Sequence, residues 1–427
     1  MEVDENAPTV QQDDDEENEY NPKANIFLPG KKSLEEDEVL DYDASAYEML
    51  HMMTVEWPCL SLDIVPDSLG AYRTKFPHTL YFVAGTQTDD SAKNPNKLYV
   101  MKASRLSRTK YDEDSENDAS DDEDDVDPVL EHRTISHRGG VNRVKVMPQA
   151  PHLTATWSEE AVLGIWDVSK HLEALDVPGV LAKDVKPLAS LNCKSEGFAL
   201  AWSPHKPGRI IAGDTASNIY FAEPSENLAS WAPDPKPFTG HSSSVEDLQW
   251  SPTEPEVFVS CSADRTVKIW DTRAKKPQRS WIAADCDVNV MSWNKKVAYL
   301  LVSGADDGSF RIWDLRTLKS DNNCEAVAQF KWHKDQITSV EWDPNDESVI
   351  GVAGADDQVT LWDLSVEKDP EELNDPTLKD DLPAQLLFVH MGQTDVKELH
   401  FHPQIPSTVV TTAENGINIF KPSVTEE

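Results

Sequence analysis

His241, Ser260 and Asp264 have the residue types of a nucleophilic set: a hydroxyl, an imidazole to take its proton, and a carboxylate to orient the imidazole. The set is copied along the chain, however. His137 stands ahead of Glu160 and Trp166, and His333 ahead of Asp356 and Trp362, at the offsets that join His241, Asp264 and Trp270. An acid stands six residues before each of six similar segment ends: Glu160, Asp214, Asp264, Asp307, Asp356 and Glu414. One active site needs no copies. The repeated residues are therefore read as scaffold, a buried carboxylate and imidazole being stable only when they partner one another. Other chemistry is equally thin. Gly30-Lys31-Lys32-Ser33 suggests a phosphate loop, but that motif requires a glycine five places before Gly30, where the chain has Asn25. No cluster has metal-ligand spacing. No enzyme activity, metal or cofactor is expected.

The elements that must carry these residues follow from the segment ends. VLGIWD at Trp166, TVKIWD at Trp270, SFRIWD at Trp313 and VTLWDL at Trp362 are near-copies, and Tyr99 (KLYV), Tyr220 (NIYF) and Phe420 (INIF) close weaker ones. Successive spacings of 67, 54, 50, 43, 49 and 58 residues fit one four-stranded blade plus variable loops. Seven ends imply seven blades. Upstream, His241 is followed by Val245, Leu248 and Trp250, and His333 by Ile337, Val340 and Trp342, while His137, Val141 and Val144 fit the same offsets. Such apolar alternation marks an inner strand, which exits at Ser203-Pro204, Ser251-Pro252, Asp343-Pro344 and His402-Pro403. The repeats with Trp202 and Trp293 have Cys193 and Ala284 in place of the histidine, so less polar bonding is expected there. These motifs resemble WD repeats. The resemblance implies that the acid sits in a tight turn and bonds the histidine, which reaches a strand hydroxyl and the indole. Asp264, His241, Ser260 and Trp270 fill all four places. The fold class expected is all-β, a seven-bladed WD40 β-propeller with a short N-terminal helix and disordered acidic segments.

That helix is expected where Ser45-Ala46-Tyr47-Glu48 fits a capping box and Tyr47, Leu50 and Met53 form one stripe. Leu60, Leu62 and Ile64 then alternate, so TVEWPCLSLDIV (54–65) is expected to be the outer strand that closes the ring against the last blade and removes exposed edges. The expected organisation is an acidic tail over 1–24, an extension with the helix over 25–53, the propeller over 54–421, and a tail over 422–427. The propeller carries an acidic insert at 111–128 and a blade-six insertion at 367–384.

Charge speaks to partners. Asp and Glu outnumber Lys and Arg by 77 to 39, a formal charge of -38 that repels phosphates and anionic lipid and attracts cationic protein. No nucleic-acid or membrane partner is expected. Residues 1–19, 35–43 and 112–127 hold 9, 6 and 11 acids and no Lys or Arg, so 26 of the 77 acids sit in three short tracts. The insert has almost no apolar content and is expected to remain disordered. Its acids, Asp121, Asp122, Glu123, Asp124 and Asp125 among them, form a polyanion that could occupy the rRNA-binding surface of a basic client. Five cysteines without a CxxC pair, no sequon and no long apolar run point to a soluble, reduced, monomeric protein of the cytosol or nucleus.

The segment VEWPCLSLDIV and LPAQLLFVH (382–390) resemble the histone-binding WD-repeat proteins of chromatin complexes. NIFLPG, SLDIVPDSLG, AGTQT, EGFALAWSP, SVEDLQWSPTE and SCSADRTVKIWD, together with the acidic insert, resemble the glutamate-rich WD-repeat protein family more closely, from about residue 25 to 421. That resemblance implies a nuclear and nucleolar chaperone of the third large-subunit ribosomal protein in early ribosome biogenesis, partly cytoplasmic if it meets its client there. Core histones are the alternative partner. Resemblance to the histone-binding proteins also implies a client helix held between the N-terminal helix (Tyr47, Leu50, Met53) and the blade-six loop (Asp380, Asp381, Leu382, Pro383), although Ala384 replaces a second proline of those relatives. The repeat itself suggests another surface. Turns carrying the histidine and the recurring acid share one face, where Glu196, Asp285, Asp287, Asp335, Asp395, Glu159, Asp306 and Asp357 gather. Turns on the other face include Arg273, Lys275, Lys276, Arg316 and Lys319.

Overall fold

A computed structural model of the protein describes residues 42–88, 96–109, 127–319, 324–367 and 382–423. The chain divides into two units, Met1–Tyr42 and Asp43–Glu427. Only Tyr42 of the first is described, and the second is the propeller. Its seven four-stranded antiparallel blades begin with the inner strands Cys59–Val65, Val141–Val146, Ala199–Trp202, Val245–Trp250, Val288–Trp293, Ile337–Trp342 and Glu398–Phe401. The seven segment ends read from sequence all fall in third strands, from Lys97–Leu106 in blade one to Gly416–Pro422 in blade seven. Blade three adds a short strand, Phe238–Thr239.

The spacing of the inner-strand apolar residues has a local cause. Val245 and Leu248 are both buried although three residues apart, because the ladder slips between Val245 and Asp247. The same slip recurs at Val141/Arg143, Val288/Val290 and Ile337/Ser339. One bulge near the start of the strand resets the two-residue alternation. Inner strands expose one ladder edge toward the axis, and side chains of the preceding blade occupy it. Ser61 Oγ accepts from the Val144 N–H at 3.0 Å, Gln249 Oε1 from Trp293 at 2.8 Å, Ser339 Oγ from Leu399 at 3.2 Å, and Glu398 Oε2 from Leu62 at 2.9 Å. Each such bond removes an open edge that would otherwise pair elsewhere.

Between blades the sheets bury apolar layers, one at each of the seven junctions. Blades three and four share Ile211, Phe238, Leu248, Phe258 and Trp270, for instance, while blades seven and one share Met49, Leu62, Phe82, Tyr99 and Ile419. The approach is close enough to require glycine in the second strands. A Cβ on Gly213 or Gly304 would stand 2.6 Å from Val245 or Ile337 of the next blade.

Two expectations about closure are corrected. The ring is closed by Tyr47–Met53, which is a β-strand and not a helix, paired antiparallel with Gly416–Pro422 from Tyr47↔Pro422 to Met53↔Ile417. Ser45 caps nothing. Asp43 accepts its N–H at 3.0 Å and its hydroxyl at 2.6 Å, which gives a single 3-10 turn, Ala44–Ala46. The strand wins because it fills the open ladder of blade seven and buries Tyr47, Met49 and Met53, where a lone helix would satisfy neither. Cys59–Val65, expected as the closing outer strand, is instead the inner strand of blade one. The propeller therefore begins at Tyr47 rather than at residue 54. Among the described residues the sole α-helix is Ser169–Asp176, in the connection from the third to the outer strand of blade two.

Candidate client-binding surfaces

The four-residue set of blade four forms as a continuous buried chain. His241 Nδ1 lies 2.8 Å from Asp264, its Nε2 2.6 Å from Ser260 Oγ, and the Trp270 indole N–H donates to that same oxygen at 2.7 Å. Burial lowers the pKa of His241, against the opposing pull of Asp264. The imidazole is thus neutral, with Nδ1–H donating to the carboxylate and Nε2 accepting from the serine. Burial alone would raise the Asp264 carboxyl, but bonds from His241 and Thr266 bring it well below the ordinary range. Ser260 is wholly buried, so no substrate reaches it, and the arrangement is scaffold.

The other blades vary the theme. In blade six His333 bonds Asp356 at 2.8 Å, but the hydroxyl comes from Thr360 on the third strand, with Trp362 donating at 2.8 Å. In blade two His137 reaches Thr156, yet its Nδ1 turns to the Gly139 carbonyl because Glu160 pairs with Arg138 instead. Blade three lacks the histidine but is not short of polar bonding, contrary to expectation. Asp214 accepts from the Asn218 N–H at 2.7 Å, from its side-chain amide, and from the Tyr220 hydroxyl at 2.8 Å. Blade five keeps the Trp313–Ser303 bond at 2.9 Å, and its Asp307 holds only its own turn through Ser309.

A second polar cluster, not anticipated from the sequence, lies on the axis. Glu398 meets Arg143 at 2.8 Å, Lys145 at 3.1 Å and His400 at 3.2 Å, and His400 meets Glu341 at 2.6 Å. Burial and Lys145 oppose a charged His400, but Glu341 and Glu398 outweigh them and raise its pKa to about 9. The signal was present as charged residues two apart on inner strands, Arg143/Lys145 and Glu398/His400. Beside the cluster, around the inner-strand exits, lies a cavity of about 420 Å³.

The acids expected on one face stand in turns at a common end of the blades. Glu196, Asp285, Asp287, Asp335 and Asp395 precede inner strands, and Glu159, Asp306 and Asp357 sit between second and third strands. Antiparallel pairing places both sets on the same side, as the Asp306 N–H bond to the Asp287 carbonyl at 3.0 Å illustrates. Asp285, Asp306, Asp335 and Glu159 are exposed. Asp395 is neutralised by Lys397, but Glu196, Asp285, Asp287, Asp306, Asp335 and Asp357 make no ion pair among the described residues. On the opposite side Arg273 is held by Asp271, Arg316 by Asp314 and Lys275 by Asp234.

The expected helix groove is not formed by the residues proposed for it. Tyr47 is 6% exposed, edge-on to Phe388 at 5.1 Å, with its hydroxyl 2.8 Å from His390 Nδ1. Met53 is buried in the blade seven–one layer, and Leu50 is half-buried against the blade six–seven layer. Strand alternation has turned the supposed stripe inward, so Tyr47 and Met53 cannot face a client. Leu382 is 46% exposed beside Pro383 at the head of the Leu386–His390 strand. Asp380, Asp381 and the insert acids Asp121, Asp122, Glu123, Asp124 and Asp125 lie outside the described residues. Three chain paths meet at one corner all the same: the propeller begins at Asp43, the Thr109 N–H donates to the Glu48 carbonyl, and the Ser423 N–H donates to the Ala46 carbonyl.

Comparison with known proteins agrees with this architecture. Residues 37–107 match the family described as histone-binding protein RBBP4 or a CAF1-complex component, and 235–271, 275–314 and 324–363 match the WD domain, G-beta repeat. The chain is 47% identical to ribosome assembly protein rrb1 of Schizosaccharomyces pombe over 96% of its own length and 87% of that protein. It is 48% identical to glutamate-rich WD repeat-containing protein 1 of Dictyostelium discoideum, over 94% of this chain and 86% of the relative. It is 44% identical to protein HEAT STRESS TOLERANT DWD 1 of Arabidopsis thaliana, over 93% and 91%. With nearly the whole propeller matched at this level, the chain belongs to the glutamate-rich WD-repeat protein family.

Proposed function

We propose that this protein is a non-enzymatic chaperone that holds a strongly basic ribosomal protein, the third of the large subunit, during early large-subunit assembly in the nucleus and nucleolus. The observation that carries the reading is the row of carboxylates without ion-pair partners on one face of the ring, in a chain that is nearly half identical to a ribosome assembly protein. Paired charges are already satisfied, whereas unpaired ones of one sign raise the local potential, steer a cationic partner and gain energy on contact. The acidic tracts at 1–19, 35–43 and 112–127 extend the same chemistry, the last as a polyanion for the client's rRNA-binding surface. The domain organisation that serves this function is an acidic N-terminal tract, a propeller from Tyr47 onward, and insertions in blades one and six.

Affinity purification at moderate salt followed by mass spectrometry tests the identity of the client. One large-subunit ribosomal protein, stoichiometric and free of ribosomes, is the expected result. Core histones recovered with deacetylase subunits would instead support a histone-binding role, which the match over 37–107 favours. Leu50, Leu382 and Pro383 remain candidate contacts for either client.

A further inference from the structure

Among the described residues, cations gather at one corner of this acidic protein, on the side of the ring opposite the acidic turns. Arg108 lies over the Phe76 ring at 5.0 Å and reaches Glu48 at 3.2 Å, which Lys421 also meets at 2.6 Å. Phe76 packs on His78 at 4.3 Å, and Arg73, Lys421 and Arg108 all act electrostatically on that histidine. Arg73 is paired with Asp67. Lys75 and Arg105 are exposed and make no ion pair among the described residues. Five cations thus share two carboxylates here, beside the exposed apolar side chains Leu69 and Tyr72.

The chain leaves this corner at Thr109, tied to the Glu48 carbonyl, and returns to pair Val129 with Ser104. Between them, residues 112–125 hold ten acids and no Lys or Arg. We propose that the cationic corner is the docking surface for this acidic segment of the same chain, which covers the corner until a basic client draws it away. Anchored at both ends, a segment of this length reaches roughly 30 Å out and back at about 3.3 Å per residue, which spans the patch. Tethering supplies an effective concentration on the order of millimolar. A free polyanion of any other origin must approach a protein of net charge -38, which disfavours it relative to the tethered segment. The release step rests on the client-holding function proposed above, while the docking step does not.

The test uses the full chain and the same chain lacking 112–125, with a fluorescent peptide of residues 111–127 added in trans at low ionic strength and no client present. The peptide should bind the deletion variant at least about tenfold more tightly than the intact chain, whose own segment competes. Binding should vanish in the deletion variant carrying Lys75→Glu and Arg105→Glu, and at about 0.5 M salt. Absence of binding to the deletion variant, or equal binding to both chains, overturns the proposal. So does tighter binding of a single-stranded RNA of similar length, which would assign the corner to nucleic acid. If the deletion lowers the melting temperature, a chain with the ten acids replaced by Asn and Gln serves in its place. Because no client is present, failure here leaves the proposed function standing, and loss of client binding leaves this result standing.

Discussion

The axis of the propeller and its acidic face are both rich in carboxylates, but they use them differently. On the axis Glu398 and Glu341 alternate with Arg143, Lys145 and His400 at contact distances, and Glu398 is held ionised well below its ordinary range. On the face Asp285, Asp287, Asp306 and Asp335 have no cation among the described residues. Charge that serves the fold is paired and buried, and charge available to a partner is neither. Substitution should therefore separate the two regions cleanly, stability responding at one and binding at the other.

The largest effect should follow removal of the axial carboxylate. Glu398→Gln leaves Arg143, Lys145 and His400 in a buried site with one anion fewer, a loss of about 3 kcal/mol for breaking one partner out of such a cluster. It also weakens the acceptor for the Leu62 N–H that links blade seven to blade one. Thermal unfolding should report a clear fall in Tm, with client affinity unchanged below it. An unaltered Tm would mean that the cluster contributes nothing net to the fold.

Reversal on the face should do the opposite. Asp287→Lys, Asp306→Lys and Asp335→Lys together should weaken client binding at least about tenfold, near 1.4 kcal/mol, and flatten its salt dependence. Tm should hold, since none of the three is ion-paired to the fold. Equal affinity for the triple variant and the native chain at low salt would remove the acidic face from the proposed function.

These regions were not equally legible in the sequence. The blades were, because Trp166, Trp270, Trp313 and Trp362 close near-identical third strands and the alternation of Val245, Leu248 and Trp250 survives its bulge. The acidic face also was, since strand direction alone puts the first turn and the third on one side. Closure was misread. Tyr47, Leu50 and Met53 fit a helical stripe as well as a bulged strand, and only the open ladder of Gly416–Pro422, at the far end of the chain, decides between them. Blade three was misread for a related reason: Asn218 and Tyr220 replace the missing histidine from positions that carry no motif. The axial cluster joins strands from blades two, six and seven, and no window along the chain contains it.

Acid should sharpen the contrast between charged and neutral buried histidines. His400 has carboxylates on both sides, whereas burial pushes His390 down to about 4, and burial with nearby positive charge takes His78 to about 4 and His402 to about 3. These three are neutral in the fold and take up protons once unfolded, with an ordinary value near 6.5. The unfolded chain thus binds more protons as pH drops below 6.5, so the stability present above that value is lost between about 6.5 and 4. A plot of Tm against pH should fall through this window, and His390→Gln should make it shallower. A slope untouched by that substitution would show that His390 is not among the groups responsible.

The smallest change tests how the ring is fastened. The Tyr47 ring packs edge-on against Phe388, His390 and Phe420, and its hydroxyl bonds His390, which also meets the Asn418 amide at 3.1 Å. Tyr47→Phe keeps the packing and deletes the hydroxyl, leaving one nitrogen of a buried imidazole without that partner, at a cost of about 1 kcal/mol. Tyr47→Ala, which also empties the ring site, should cost about 3 kcal/mol or more. If Tyr47 served the client rather than closure, the alanine variant would lose client affinity at constant Tm. Burial of the side chain on three aromatic rings predicts the reverse, a lowered Tm with intact affinity below it, and the gap between the two variants measures how much of the fastening is packing and how much is the hydrogen bond.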